Sequence, residues 1–315
     1  MRRVGRSVVP NMPTGVVLNA SPTATNLVDD VVAQARRAFD VGVRQVWLAQ
    51  RFDYDAILLA GLVGAAVPGL GVGTFVVPIN PRHPLIVATL AQTAQAAAHG
   101  DFSLGLGLGA HAPERQAFGT AWPNPVGRLR EHLEILRSIF DTGAVDYHGS
   151  EFTAAPEWPV ALPGGRPVPI YVAAMGPKAL RVTGELAAGT LPYLAGPRTI
   201  EEFIVPTIDG AARAAGRPAP KVIAAVPVVM SDDADAARDL AVEELKFYET
   251  IPSYAKVIAR EGADRAADIA AVGPAETVRK QLQRYRDAGA TDLVLSALRS
   301  DSADPQYLWE LAASV

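Results

Sequence analysis

Apolar residues along this chain follow two alternating patterns. Short runs such as residues 45–49 and 221–230 are apolar at nearly every position, which is typical of strands that are covered on both faces. Longer segments between them, such as residues 26–41, carry apolar side chains every three to four positions, which is typical of amphipathic helices. The sequence therefore predicts strands and helices that alternate along the chain.

The apolar pattern predicts eight strands. They cover residues 14–19, 45–49, 71–77, 102–108, 169–174, 190–194, 221–230 and 292–296. The predicted helices cover residues 26–41, 53–67, 84–99, 126–140, 177–188, 199–215, 274–288 and 305–313, with two or three more within residues 232–271. Asn26 is the expected cap of the first helix, because its side chain can accept hydrogen bonds from free backbone N–H groups.

Eight strand–helix units in a chain of 315 residues predict an α/β fold, the (β/α)8 TIM barrel. The alternative is a doubly wound open sheet, which would carry a glycine fingerprint after its first strand. Residues 19–22 there read Asn-Ala-Ser-Pro, so the barrel is favoured. We predict a single barrel domain over residues 14–315, with insertions near residues 141–168 and 232–271.

Composition narrows the classes of partner. A net charge of -4 argues against nucleic acid or an anionic membrane as a partner. The absence of cysteine excludes disulfides and thiolate chemistry and suits the cytoplasm. Residues 1–13 lack the apolar core of a signal peptide, so they are predicted to be a flexible extension, with Met12 as an alternative start. The five histidines show no metal-ligand spacing, so no metal site is predicted, and His99 and His132 are expected on helix surfaces.

The most unusual pattern lies in residues 101–111, where leucine and glycine alternate strictly from Leu104 to Gly109. A strand with this pattern has one leucine face and one face of bare backbone. Three glycines on one face indicate that a helix or a flat ligand comes close to the backbone, and we favour the ligand. Barrel active sites form at the carboxyl ends of strands, so Gly109, Ala110 and His111 are expected to line the barrel mouth.

A second motif follows the fifth predicted strand, where residues 173–178 read Ala-Ala-Met-Gly-Pro-Lys and open a helix. Free N–H groups at a helix start, together with the helix dipole, form an anion site. Lys178 adds a positive charge. The motif is either a phosphate loop or an ordinary turn between a strand and a helix.

Polar residues also fall at the predicted ends of other strands. Asn19 follows the first strand, Gln50 the second and His111 the fourth. In a barrel these positions meet at one rim, which is where such proteins place their functional groups. Residues 74–84, stiffened by three prolines, end the third strand, and His83 within them is expected to cap the next helix or form an ion pair.

Four segments of the chain, residues 76–84, 104–109, 169–178 and 272–289, resemble the luciferase-like monooxygenase family, in particular its branch that uses the deazaflavin coenzyme F420. The resemblance implies a (β/α)8 barrel with a cofactor ring over its mouth. It also implies a non-proline cis peptide at Phe75-Val76, room for the ring along the glycine strand, and a phosphate loop at residues 174–176. The residues expected to bind the cofactor are Asn19, Phe75, Val76, Gly107, Gly109, Ala110, Ala173, Ala174, Met175, Gly176 and Pro177.

The function implied is an F420-dependent oxidoreductase that moves a hydride between the deazaflavin and a small organic substrate. The alternatives are an FMN-dependent two-component flavin monooxygenase and a cofactor-binding barrel without turnover. Several relatives carry a histidine where this chain has Gln50, and some carry a carboxylate where it has Ala110. We therefore predict His111 and Gln50 as the catalytic residues, because an imidazole with its ordinary pKa can exchange protons near neutrality. The alternative is that His111 only contacts the tail of the cofactor. A homodimer is expected by analogy with the family.

Overall fold

A ring of eight parallel strands forms the centre of the protein. The computed structural model describes residues 13–109, 111–298 and 305–315. The ring strands are β1 (Thr14–Leu18), β2 (Gln45–Leu48), β3 (Gly71–Thr74), β4 (Phe102–Gly107), β5 (Ile170–Val172), β6 (Gly189–Thr190), β7 (Lys221–Met230) and β8 (Asp292–Ala297). Each strand pairs in parallel with the next, and β8 pairs with β1 through Leu293 opposite Thr14, so the ring is closed. The predicted barrel is confirmed and the open sheet is excluded.

Helices surround the ring. They are α1 (Leu27–Asp40), α2 (Ala56–Ala66), α3 (Pro84–Ala97), α4 (His111–Phe118), α5 (Pro125–Thr142), α6 (Pro177–Leu186), α7 (Pro197–Thr199), α8 (Val205–Ala214), α9 (Ala234–Glu249), α10 (Pro252–Glu261), α11 (Ala275–Asp287) and α12 (Gln306–Ser314). A π-helical turn, Ile200–Ile204, joins α7 to α8. Asn26 caps α1 as predicted, because its side chain accepts hydrogen bonds from the backbone N–H groups of Val28 and Asp29.

Two local predictions were wrong. Helix α2 begins at Ala56 and is capped by Asp55, so the start that was predicted at Asp53 is about one helical turn too early. Helix α4 lies between the strand predicted to end at residue 108 and the helix predicted to begin at residue 126, where no helix was predicted. Its eight residues are too few to show a regular apolar stripe, and they include a proline, which hides a short helix from a periodicity argument. Residues 1–12, which hold Met12 and most of the predicted extension, lie outside the described residues.

The interior of the barrel is filled by large side chains at its middle level. Trp47 of β2 is 2% exposed and meets the Tyr171 ring of β5 edge to face at 6.3 Å. Space for the indole comes from glycine on a neighbouring strand, since a Cβ added to Gly73 would lie 2.5 Å from it. The ring of strands is therefore a packed core with a mouth at its carboxyl end, not an open tube.

The first insertion, which we call the flank insertion (residues 141–168), packs along the outside of the barrel against α3 and α5. It contains a small antiparallel hairpin, Tyr147–His148 with Thr153–Ala154. Gln92 of α3 donates to the carbonyl of Val160 at 2.9 Å and accepts from the N–H of Leu162 at 3.0 Å. Gln95, one turn further on, donates to the Pro167 carbonyl at 3.0 Å. These bonds hold an irregular segment in one place.

The flank insertion also buries His132, which was expected on a helix surface. His132 is 0% exposed, and Phe152 of the insertion meets its ring at 5.7 Å. Burial, and then the nearby charge of Arg128, lower the pKa of His132 to about 3. The prediction was wrong because the covering segment is distant along the chain and unrelated to helical spacing. His99, by contrast, is exposed as predicted, but it lies in the turn after α3 and not on the helix.

The second insertion, which we call the roof insertion (residues 232–271), consists of α9, α10 and a 3₁₀ turn, Ala266–Ile269. The chain after it, Ala271–Gly273, pairs with β7. Tyr248 of α9 and Tyr254 of α10 lie over the end of β6, so this insertion covers the barrel mouth. Within the described residues, no helix has both the length and the apolar character needed to span a membrane.

Candidate active site at the barrel mouth

The sequence-predicted site residues lie at the carboxyl ends of five neighbouring ring strands. Asn19 follows β1, Gln50 follows β2 and Phe75 follows β3. Gly109 lies just past β4, and Ala173 directly follows β5. Parallel strands of a closed barrel end at the same rim, so these residues belong to one mouth. Ala110 lies outside the described residues, and His111 is the first residue of α4.

The peptide bond between Phe75 and Val76 is cis, as the family resemblance implied. It interrupts β3, and the chain then resumes pairing as Val77–Pro78 beside β4. The N–H of Phe75 donates to the Leu48 carbonyl at 2.8 Å. The Phe75 and Val76 side chains both remain partly exposed. We call Phe75 and Val76 the bulge of β3. The bulge presents apolar side chains to the mouth, and its backbone is anchored to the neighbouring strand β2.

The glycine row of β4 faces the barrel interior, and the leucines face the surrounding helices. Leu104 and Leu106 are both 0% exposed in the outer core. A Cβ on Gly105 would overlap the Thr74 carbonyl oxygen, and one on Gly107 would lie 2.7 Å from Val76 Cγ2. The bare backbone thus admits the bulge of β3. The close neighbour that the glycines indicated is, at Gly105 and Gly107, another part of this protein.

One buried hydroxyl joins the bulge to the glycine row. Thr74 Oγ1 donates to the Gly105 carbonyl at 2.8 Å and accepts from the Gly105 N–H at 2.8 Å. Thr74 is 0% exposed. The two bonds replace the regular backbone pairing between β3 and β4 at the point where β3 is interrupted. They thereby fix the position of Phe75 and Val76 relative to β4.

Gln50 uses its amide to hold the loop that leads into α2. Its Nε2 donates to the Tyr54 carbonyl at 2.6 Å and also to the Arg51 carbonyl. Its Oε1 accepts from the Ala56 N–H at 3.1 Å and from Arg82 at 2.9 Å. Arg82 in turn pairs with Asp55, the cap of α2, at 2.7 Å. Gln50 therefore has a clear structural task at the rim, beside its predicted catalytic one.

The start of α6 is open in the way that an anion site requires. Gly176 is the N-cap residue, makes no side-chain capping bond, and has nothing within 4 Å of its added Cβ. Helices α1, α2, α3, α5 and α9 instead begin with a side chain that accepts from their first N–H groups, whereas α10, α11 and α12 also begin without one. The open N–H groups and the helix dipole can bind a phosphate there. Lys178 is exposed beside them.

His83 has the structural role that was expected of it. Its Nδ1 accepts from the N–H of Leu85 and so caps α3, while Nε2 lies 3.0 Å from the Thr153 carbonyl of the flank insertion. Among the described residues, no three histidine, aspartate or glutamate side chains come together as a metal would need.

Sequence reasoning missed a cluster of aromatic side chains at the mouth. Phe75 meets Tyr193 edge to face at 5.8 Å, and Tyr193 meets Tyr248 at 5.2 Å and Tyr254 at 6.3 Å. Burial, and then the hydroxyls of Tyr248 and Tyr254, raise the pKa of Tyr193 well above its ordinary value. The position of Tyr193 just past β6 was the available signal. Nothing local pointed to the two roof tyrosines.

The fold and the site together define a (β/α)8 barrel with an apolar bulge and an open helix start at its mouth. The sequence model of the luciferase-like monooxygenases matches residues 12–292 of this chain. The match covers most of the chain, and the protein belongs to this family.

One relative in sequence and two solved structures are similar to this chain. The F420-dependent glucose-6-phosphate dehydrogenase of Amycolatopsis mediterranei is 26% identical over 294 residues, which cover 84% of this chain and 87% of the relative. An F420-dependent secondary alcohol dehydrogenase, solved with an F420–acetone adduct, superposes with a TM-score of 0.78 at 21% identity, covering 96% and 98%. The oxygenating part of the 3,6-diketocamphane monooxygenase of Pseudomonas putida, solved with FMN, gives 0.72 at 18%, covering 96% of each chain. The two structural likenesses show a shared fold.

Proposed function

We propose that this protein is an F420-dependent oxidoreductase that moves a hydride between the deazaflavin and a small organic substrate. The observation that carries the proposal is the uncapped start of α6 at the same rim as the apolar bulge Phe75-Val76. An anion site beside an apolar wall suits a flat heterocycle with a phosphate-bearing tail. The dehydrogenase from Amycolatopsis, which has F420 in its name, supports this choice of cofactor.

In this proposal the chain binds and orients, while the deazaflavin supplies the hydride chemistry when bound. The backbone N–H groups of Met175 and Gly176 bind the phosphate, with Pro177 fixing the start of the helix. Ala174, whose N–H donates to the Val172 carbonyl at 2.7 Å, lies beside them in the cofactor contact. Phe75 and Val76 support the ring, and Gly107 keeps Val76 in place by leaving room for it. The other residues assigned to the cofactor contact are Asn19, Gly109, Ala110 and Ala173.

His111 is the proposed group for any proton transfer. An imidazole has an ordinary pKa of about 6.5, so it can both accept and donate a proton near neutral pH. Gln50 supports the same rim by fixing the loop before α2 through four hydrogen bonds. We therefore assign Gln50 a positioning role within the catalytic pair.

An FMN-dependent two-component monooxygenase is the second candidate, and the FMN-bound structural neighbour favours it. The phosphate of FMN could use the same helix start. A cofactor-binding barrel without turnover is the third. Titrating the protein with F420 and with FMN, followed by fluorescence, separates the first two. We expect tight binding of F420, and tight binding of FMN without a response to F420 would overturn the proposal. A panel of alcohols, aldehydes and enones then tests turnover.

A homodimer is part of the proposal, and α2 and α3 supply its supporting surface. Leu58 and Leu62 of α2 and Ile86 of α3 are 59%, 42% and 58% exposed. Helix α2 is apolar around its whole circumference, which is typical of a helix that is buried on all sides. We expect Leu58→Glu to give a monomer in sedimentation equilibrium, and an unchanged mass would remove this surface from the proposal.

Since the chain has no cysteine, we propose the cytoplasm as its compartment.

A further inference from the structure

The aromatic cluster at the mouth joins the barrel to its roof. Phe75 follows β3 and Tyr193 follows β6, so the two rings approach each other across the mouth from strands that are not neighbours. Tyr248 and Tyr254 lie above Tyr193 and are 5.0 Å apart, measured between ring centroids. We call these four residues the aromatic subsite. Tyr193 is buried, while the other three remain partly exposed.

The contacts within the aromatic subsite are edge to face, with interplanar angles from 65° to 84°. Rings arranged in this way leave faces and edges free for a further aromatic or flat apolar group. The exposed parts of Phe75, Tyr248 and Tyr254 therefore form a surface that a planar molecule can cover. The hydroxyls of Tyr248 and Tyr254 add hydrogen-bond donors to that surface.

The basic side chains of the roof insertion do not offer a positive charge to a ligand in the aromatic subsite. Ion pairs occupy three of them: Arg238 with Asp268, Lys246 with Glu243, and Arg265 with Glu249. Arg260 lies over the Phe203 ring, 3.5 Å from its centroid. Lys256 is two positions after Tyr254 on α10, which places it on the opposite side of that helix.

The charge that does act on the subsite is negative. Glu244 adds to the burial and to the neighbouring hydroxyls that raise the pKa of Tyr193. The pKa values of Tyr248 and Tyr254 are raised as well, by burial first. An environment that disfavours a phenolate also disfavours a carboxylate or phosphate brought in by a ligand.

We propose that the aromatic subsite binds the substrate, and that it selects an uncharged molecule with a flat or apolar body and an oxygen that accepts a hydrogen bond. A sugar phosphate, the substrate in the name of the Amycolatopsis relative, is disfavoured by this chemistry. The inference rests on the proposed function in one respect, namely that the molecule bound here is the substrate of the reaction. The binding preference itself is a property of these four residues and can be measured without the cofactor.

Two probes of equal size test the preference. Acetophenone and benzoate share a phenyl ring and differ in whether the polar group is a neutral ketone or a carboxylate. Saturation-transfer NMR titrations, on the full chain without cofactor and again with F420, give both dissociation constants. We expect acetophenone to bind about tenfold more tightly than benzoate, because the carboxylate of benzoate loses its hydration in an apolar site. Equal or tighter binding of benzoate would overturn the inference.

Variants locate the binding in the subsite. Tyr248→Ala and Tyr254→Ala should each weaken acetophenone binding about fivefold, because each removes one aromatic contact. Tyr248→Phe should retain most of the affinity, and Tyr147→Phe, on the flank insertion, should retain all of it. Two alanine variants that remain folded by circular dichroism and still bind acetophenone normally would overturn the assignment. If F420 itself fails to bind while the probes behave as expected, the proposed function fails and the subsite stands.

Discussion

The two insertions attach to the barrel by different kinds of contact. Buried polar groups bind the flank insertion, above all Glu131 of α5, whose carboxylate accepts from the N–H groups of Ser150, Glu151 and Phe152 and from the Ser150 hydroxyl. At the mouth the roof insertion is held by aromatic rings. Its polar bonds either connect parts of the roof, as Arg238 does with Asp268, or reach the barrel away from the tyrosines, where Glu261 accepts from the N–H groups of Arg198 and Thr199. Directional bonds fix one geometry, whereas ring contacts tolerate sliding. The comparison predicts that substitutions at the flank contacts lower stability, whereas the proposed ligand contacts belong to the roof.

Glu131→Ala should have the largest effect, and it should be an effect on folding. The change leaves the N–H groups of residues 150–152 without their acceptor in a largely buried place, at a cost of about 3–5 kcal/mol. Chemical denaturation should show this loss in the free energy of unfolding, while cofactor affinity of the folded fraction stays unchanged. Glu134→Ala, at the more exposed neighbour that accepts from Tyr147, is the control and should cost under about 1 kcal/mol. A cost for Glu131→Ala as small as that of the control would contradict the assignment.

His132 should make the flank sensitive to acid. Its pKa is about 3 in the folded protein and about 6.5 in an unfolded chain, so the unfolded state binds the extra proton between these values. Stability should therefore fall as the pH drops below about 6.5, by up to about 1.4 kcal/mol per pH unit. Glu131 adds to the loss at lower pH, because burial raises its pKa but the hydrogen bonds from residues 150–152 outweigh this and lower it.

The variant His132→Leu isolates this contribution. Both ring nitrogens of His132 lack a hydrogen-bond partner among the described residues, so leucine removes a buried polar group without breaking a bond. Melting temperatures measured from pH 7 to pH 4 should decline less steeply in the variant. Parallel curves for the two proteins would show that His132 does not titrate as a buried group.

Gly176→Asp should have the smallest effect on folding and a clear effect at the mouth. Gly176 has extended backbone angles and open space at its Cβ, so aspartate fits and caps α6 with a gain of a few tenths of a kcal/mol at about neutral pH. The new carboxylate competes with a phosphate for the same N–H groups, so we expect F420 affinity to fall about tenfold or more. Fluorescence titration checks this, with Gly176→Ala as the control. Unchanged affinity would place the cofactor phosphate elsewhere.

Repetition along the chain made most of the fold predictable. The eight strands, the cap at Asn26 and the cap at His83 follow from local patterns, and each is present. The cis bond at Phe75-Val76 followed from family likeness. Helix α4 escaped because a segment of eight residues carries too little periodic signal.

The contacts that could not be predicted join residues far apart in sequence. Glycine at 105 and 107 signals a close neighbour, but only the folded chain shows that Thr74 and Val76 are that neighbour. Tyr193 is 55 positions from Tyr248 and meets it through the path of two helices over the mouth. The flank insertion hides His132 in the same way. Local sequence gives a residue its element, and the packing of elements decides what it touches.

Trp47 has a consequence for how ligands can reach the barrel mouth. A cavity of about 180 Å³ lies at the amino ends of β2 to β4, lined by Gln45, Gly71, Ser103 and the indole itself. Among the described residues, the buried indole and the Tyr171 ring packed against it lie between that cavity and the mouth. On the proposed function, the cofactor and the substrate would both enter from the carboxyl side of the barrel. The molecule that lies deeper in the mouth would then bind first and leave last.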